Sequence, residues 1–284
     1  MSGSAGARAG PSGAASSVRR PLAGGVALAA RFERPAAAGG PGWSFLYLHG
    51  FGSRQSGEKA NHFRARALAA GAPFCSIDFR GHGESDGSLD ATTLSRHLED
   101  VERAREFLAG GGYARVVLIG SSMGGATALL HAARHPAEVA ACLLIAPAVG
   151  LGRELERGAG SAWLEKWRRE GAMRVEGELA DADLAWGFAE DLRGHDFFAA
   201  ARALAAPTLV LQGRNDASVD FRDVLDVVAA APPGLVDLVL YGDGDHRLVD
   251  RLDELWQRML DFLARRGLLD PASAALAAKA KSSS

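Results

Sequence analysis

Cysteine is nearly absent from this chain, with Cys75 and Cys142 the two in 284 residues. That excludes a disulfide scaffold and any metal site built from cysteine alone. Charge of one sign is also missing. Lys and Arg total 32 against 34 Asp and Glu, a net charge of −2. A nucleic-acid binder would carry a basic excess, so none is expected here. No apolar run reaches the roughly 18 residues of a membrane span. No Gly-rich turn is followed by the Lys-Ser/Thr pair of a phosphate loop. No grouping of His, Cys and carboxylate has metal-ligand spacing, so no metal is expected. Hydrophobic residues make up 48% of the chain, enough for a sizeable core.

Residues 1–17 are almost all Gly, Ala and Ser, too poor in apolar surface to offset the entropy of ordering. A tail over 1–20 is the expectation, with a fraying end over 271–284. Arg8, Arg19, Arg20 and Arg31 are present but no acidic residue precedes Glu33, a composition like that of an organelle transit peptide. No amphipathic helix accompanies it, so cytoplasmic residence is expected, with mitochondrial or plastid import the alternative.

Between the ends, residues 21–270 read as one α/β unit. Continuous apolar runs at 45–48, 74–77, 116–119, 142–145, 208–211 and 236–240 suit strands covered on both faces. Residues 26–32 suit an edge strand. Helical patterns at 59–70, 94–108, 125–134, 221–230 and 253–265 alternate with them, and Thr92 or Thr93 is placed to cap the second. The alternation predicts a mostly parallel sheet with helices on both faces. Residues 148–206 hold no convincing strand and three of the five tryptophans. They predict a small helical cap over the strand ends, where open α/β sheets bind ligands. Trp163, Trp167 and Trp186 are either a substrate wall or packing between cap and sheet.

The strongest chemical signal is Gly120-Ser121-Ser122-Met123-Gly124-Gly125, between a strand and a helix. This is a nucleophile elbow in its required context. The turn is sharp enough to strain Ser122, and the flanking glycines let backbone pass without a Cβ clash. A serine hydroxyl needs a base held by a third group, in the chain order serine, acid, histidine. Asp216 follows the strand at 208–211, and His246 follows the strand at 236–240, on the same sheet edge as Ser122. Asp220 is the rival acid, and Asp243 and Asp245 neighbour the base. His62, His97, His131, His135 and His195 fall in helical or cap segments, and His49 and His82 precede the serine. Tyr47-Leu48-His49-Gly50-Phe51-Gly52 predicts an oxyanion loop. Its donors are the N–H groups of Phe51 and Met123, and His49 braces it. Cys75 and Cys142 lie in apolar strands and read as inert.

These pieces, together with Asp78-Phe79-Arg80-Gly81-His82-Gly83-Glu84-Ser85, resemble the α/β-hydrolase fold superfamily. The resemblance implies that fold, triad roles for Ser122, Asp216 and His246, and freedom from cofactors. Leu129-Leu130-His131-Ala132-Ala133, Ser56-Gly57-Glu58-Lys59-Ala60 and Asp245-His246-Arg247 resemble the mitochondrial palmitoyl-protein thioesterase and acyl-glucuronide esterase branch and its bacterial relatives. The cap does not extend that match. The expectation is a serine hydrolase of carboxylic esters or thioesters, acting on a small acyl substrate or an acylated protein; the oligomeric state is left open. A proline-type aminopeptidase or a monoacylglycerol lipase is the alternative on this scaffold. An aminopeptidase needs a cap acid, for which Glu154, Glu156, Asp181 and Asp183 are available. A non-catalytic binding module is the alternative of another class.

Overall fold

The computed structural model describes residues 16–21, 27–35, 40–176 and 181–269. Two antiparallel strands, β1 (Ser16–Pro21) and β2 (Ala27–Glu33), lead into β3 (Trp43–Leu48). There follow β4 (Phe74–Ile77), β5 (Arg115–Ser121) and β6 (Val139–Ile145). After the cap come β9 (Thr208–Gly213) and β10 (Val236–Tyr241). The sheet has eight strands in the order β1-β2-β4-β3-β5-β6-β9-β10. Strands β3 to β6, β9 and β10 run parallel, and β2 runs antiparallel to β4.

Strands alternate their side chains between two faces, and each face here has its own core. Phe45, Tyr47, Val117, Ile119, Leu143 and Ile145 pack with Phe63, Trp256 and Phe262. Those partners come from α1 (Glu58–Ala69) and α9 (Leu252–Arg265). Leu46, Leu48, Leu118 and Leu144 pack on the other face with Leu98, Val101, Leu129 and Val224. These belong to α2 (Leu94–Gly110), α3 (Met123–Arg134) and α8 (Phe221–Ala230). Coverage on both faces is why the central strands read as unbroken apolar runs. Thr93, of the two candidates, caps α2 by accepting from the Arg96 N–H.

Three expectations change. Residues 16–20, expected in the tail, belong to β1, while 1–15 and 271–284 lie outside the described residues. Strand β2 is not the edge, because β1 pairs along it from Ser16–Phe32 to Pro21–Ala27. The cap is not purely helical. Between α4 (Leu151–Arg157), α5 (Ala162–Glu170), α6 (Trp186–Leu192) and α7 (Phe197–Arg202) lies a hairpin of β7 (Ala172–Glu176) and β8 (Asp181–Ala185). Its signal was the alternation of Met173 and Val175, packed on the core, with exposed Arg174 and Glu176.

Candidate active site

Strand β5 ends at Ser121 and α3 begins at Met123, so one residue makes the turn. Ser122 takes φ 53° and ψ −118°. Positive φ in a residue with a Cβ costs about 1–3 kcal/mol and survives only where the surroundings enforce it. Here they do. The Ser122 N–H donates to the Ile145 carbonyl at 2.9 Å, and the Ser122 carbonyl accepts from Ala148 at 3.0 Å. A Cβ on Gly124 would lie 2.2 Å from the Leu48 carbonyl, and one on Gly120 would lie 2.5 Å from that of Gly124. Glycine is required at both by this close approach. Although Ser122 is the N-cap of α3, its hydroxyl makes no capping bond.

That hydroxyl faces His246 instead, with Oγ 3.1 Å from Nε2. His246 Nδ1 lies 2.8 Å from Asp216 Oδ2. The three come from the C-terminal edges of β5, β9 and β10. The acid and base loops are stitched together by Arg214 N–H to the Tyr241 carbonyl and Asn215 N–H to the Gly244 carbonyl, both 2.9 Å. The Asp216 side chain is fully buried. Its Oδ1 accepts from the N–H groups of Ser218 and Val219, both at 2.8 Å, and Oδ2 also accepts from Gln212 Nε2 at 3.0 Å. Burial alone pushes its carboxyl up, but His246 and the two N–H donors outweigh that and hold it below the ordinary value. The rival Asp220 is engaged as the N-cap of α8, accepting from Arg222. Asp243 pairs with Arg251 at 3.0 Å, and Asp245 accepts from the Leu248 N–H.

The β3–α1 loop closes the site from the other side. A Cβ on Gly50 would fall 3.2 Å from Ser122 Cβ, so the loop backbone lies against the serine. Among the described residues, neither the Phe51 nor the Met123 N–H donates to a backbone acceptor. Met123 opens α3, where first-turn N–H groups have no intrahelical partner. His49 braces the loop: its Nε2 accepts from the Phe79 N–H at 3.1 Å, so its Nδ1–H donates to the Gly50 carbonyl at 2.7 Å. Burial, followed by the charge of His82, lowers it to about 3. Asp78 ties this loop to its neighbour by accepting from Gln55 and from the Glu84 N–H.

The tryptophans form a ladder within the cap. Trp163 stacks on Trp167 at 6.5 Å, and Trp167 meets Trp186 edge-on at 5.4 Å. Trp167 is 4% exposed and donates its Nε1–H to the Leu184 carbonyl. It therefore packs the hairpin and has no free face for a substrate, while Trp163 is exposed. Asp183, one of the acids considered for an amine site, pairs with Arg174 at 3.5 Å. Cys75 and Cys142 are buried, and burial pushes both thiols up to about 12.

The expectation that no metal-type donor cluster forms needs correction. Glu102 on α2, His131 on α3 and His135 at the C-cap of α3 bring donor atoms within 4.8 Å of one another. The i,i+4 spacing of the two histidines was the overlooked signal. The Arg105 guanidinium already occupies the cluster, 2.5 Å from Glu102 and 2.8 Å from Glu138. It supplies the positive charge those carboxylates require. Sequence reasoning also missed Lys59, whose Nζ donates to Ser121 Oγ at 3.2 Å.

The strained Ser122, buried Asp216 and His246 meet at the C-terminal ends of β5, β9 and β10, with β6 lying between β5 and β9 in the sheet. The profile of the alpha/beta hydrolase fold matches residues 44–197, and the chain belongs to that family. It is a hydrolase. Among curated proteins it is similar to mouse palmitoyl-protein thioesterase ABHD10, mitochondrial, at 26% identity over 220 residues. That match covers 73% of this chain and 70% of the mouse protein. The structure of mouse ABHD10 superposes with a TM-score of 0.74 at 22% identity, over 88% of this chain and 99% of that one. A chain from Agrobacterium vitis S4 gives 0.75 at 26% identity, over 90% and 99%. Est1E from Butyrivibrio proteoclasticus, with ferulic acid bound, shares the fold at 0.72 and 18% identity, over 85% and 97%. No helix among the described residues is long and apolar enough to cross a membrane.

Proposed function

We propose that this hydrolase cleaves carboxylic esters or thioesters through an acyl-enzyme on Ser122. The observation that carries it is the bonded chain from Ser122 Oγ through His246 to Asp216, 3.1 and 2.8 Å long. Ser122 Oγ attacks the acyl carbon as His246 Nε2 takes its proton. The new oxyanion accepts from the N–H groups of Phe51 and Met123, each worth about 3 kcal/mol in such a site. His246 gives the proton to the leaving alcohol or thiol, and the carbonyl reforms on Ser122. Water then repeats the cycle and releases the acid. Asp216 keeps the proton of His246 on Nδ1, so that Nε2 is free as a base, and stabilises the imidazolium.

Acyl thioesters are the favoured substrates, since curated relatives such as mouse ABHD10 are named palmitoyl-protein thioesterases. The test is hydrolysis of p-nitrophenyl esters from acetyl to palmitoyl, with palmitoyl-CoA alongside, by wild type and Ser122→Ala. Rates rising with chain length and high on the thioester fit the proposal. Activity confined to short esters overturns the thioesterase part. Full activity in Ser122→Ala overturns the whole.

A further inference from the structure

Lys59 takes no part in the chemistry above, yet its amine is bonded to the residue next to the nucleophile. It is the second residue of α1. Its Nζ donates to Ser121 Oγ at 3.2 Å, and Ser121 is buried at the end of β5. Charged groups from three elements act on that amine: Glu58 on its own helix, Asp245 and Arg247 on the base loop, and Asp216 on the acid loop. Arg247 is itself held by Glu58 at 3.7 Å. Burial, then Arg247, lowers the ammonium to about 8, against the pull of Asp245, Glu58 and Asp216. The group is therefore a cation at neutral pH and loses its charge under mildly alkaline conditions.

We propose that Lys59, in its ammonium form, is a positioning residue that ties the nucleophile elbow to the acid and base loops. An ammonium gives a charge-assisted bond to Ser121, stronger than a neutral amine gives. Its charge also attracts Asp245, which precedes His246 in the chain, and Asp216, which bonds the imidazole. One cation thereby links α1, the elbow and both loops. Catalytic geometry is sensitive to displacements of about 1 Å, so losing this tie slows attack by Ser122 without removing a reacting group. The inference rests on Ser122 being the nucleophile.

The test is the rate of Ser122 labelling by a fluorophosphonate, measured from pH 6 to 10. Oγ attacks phosphorus, fluoride leaves, and His246 takes the serine proton. The probe does not titrate, so the profile reports on the protein. Wild type should label more slowly above about pH 8. Lys59→Met should label about tenfold slower at pH 7 and show no alkaline fall. Lys59→Gln keeps a donor without charge and should also lack the fall. Ser121→Ala removes the acceptor but keeps the ammonium; it should slow labelling and retain the fall, and it serves if Lys59→Met does not fold. A Lys59→Gln profile that keeps the wild-type shape overturns the proposal, since a side chain that merely fills space leaves the alkaline limb in place. Absence of labelling in wild type is a separate result, which overturns the Ser122 reading and this one with it.

Discussion

Asp216 is the residue whose substitution separates geometry from chemistry most sharply. Its Oδ1 accepts two N–H bonds, while Oδ2 accepts from Gln212 and faces His246 Nδ1. In Asp216→Asn the amide satisfies the first pair with its oxygen and turns its NH2 toward two donors. The imidazole then loses the acceptor that fixes its tautomer. We expect kcat/KM to fall by about 10³–10⁴-fold, with a lower melting temperature from the opposed donors. Retention of more than a tenth of the activity contradicts the role assigned to Asp216. The convergence of Ser122, Asp216 and His246 was legible in the sequence because an elbow needs small residues at fixed spacing, and each partner follows the C-terminal end of a parallel strand. Lys59 was not legible as a contact of the elbow. Nothing local links a residue at the start of α1 to one 62 positions later at the end of β5.

At the scale of elements, the elbow depends on the passage of β3 behind α3. Gly124→Ala would put a Cβ 2.2 Å from the Leu48 carbonyl and 2.5 Å from that of His49, backbone atoms that cannot swing aside. Overpacking of this kind costs about 1–3 kcal/mol or more. It should displace the oxyanion loop, so activity should fall further than stability does, compared by ester hydrolysis and urea denaturation. The cap has its own keystone. Trp167→Phe removes the Nε1–H bond to the Leu184 carbonyl and part of the indole ladder, and should cost about 1–3 kcal/mol, read by chemical denaturation. A neutral effect would mean that the hairpin is held from elsewhere. The sheet strands could be read because burial on both faces makes them continuous apolar runs. The hairpin could not be read as readily, because its strands are short and half-exposed, and the surrounding segments follow helical periods.

Across the whole molecule, buried neutral imidazoles set the response to acid. Burial lowers His49 to about 3 and His131 to about 4, and it lowers His82 and His97 as well. Unfolding restores the ordinary value near 6.5. Below that pH the unfolded chain binds protons that the native state does not, so stability falls as pH falls from about 6.5 toward 4. Asp100 works in the opposite sense. Burial raises it to about 6, so between about 4 and 6 the native state is the one that holds its proton, which offsets one histidine. The net expectation is a stability that falls as pH falls from 7 to 4.5, measured by urea midpoints across that range. A flat profile would show that these imidazoles find water or partners in the native state. The buried histidines were visible as residues but not as a group, because His49, His82 and His97 meet only when three separate segments fold together.

The proposed mechanism passes through a covalent acyl group on Ser122, which mass spectrometry of acid-quenched turnover detects. During hydrolysis of p-nitrophenyl butyrate, a butyryl adduct is expected on the peptide that carries Ser122, and neither adduct nor turnover in Ser122→Ala. An adduct on any other residue, or turnover that survives in Ser122→Ala, would contradict it.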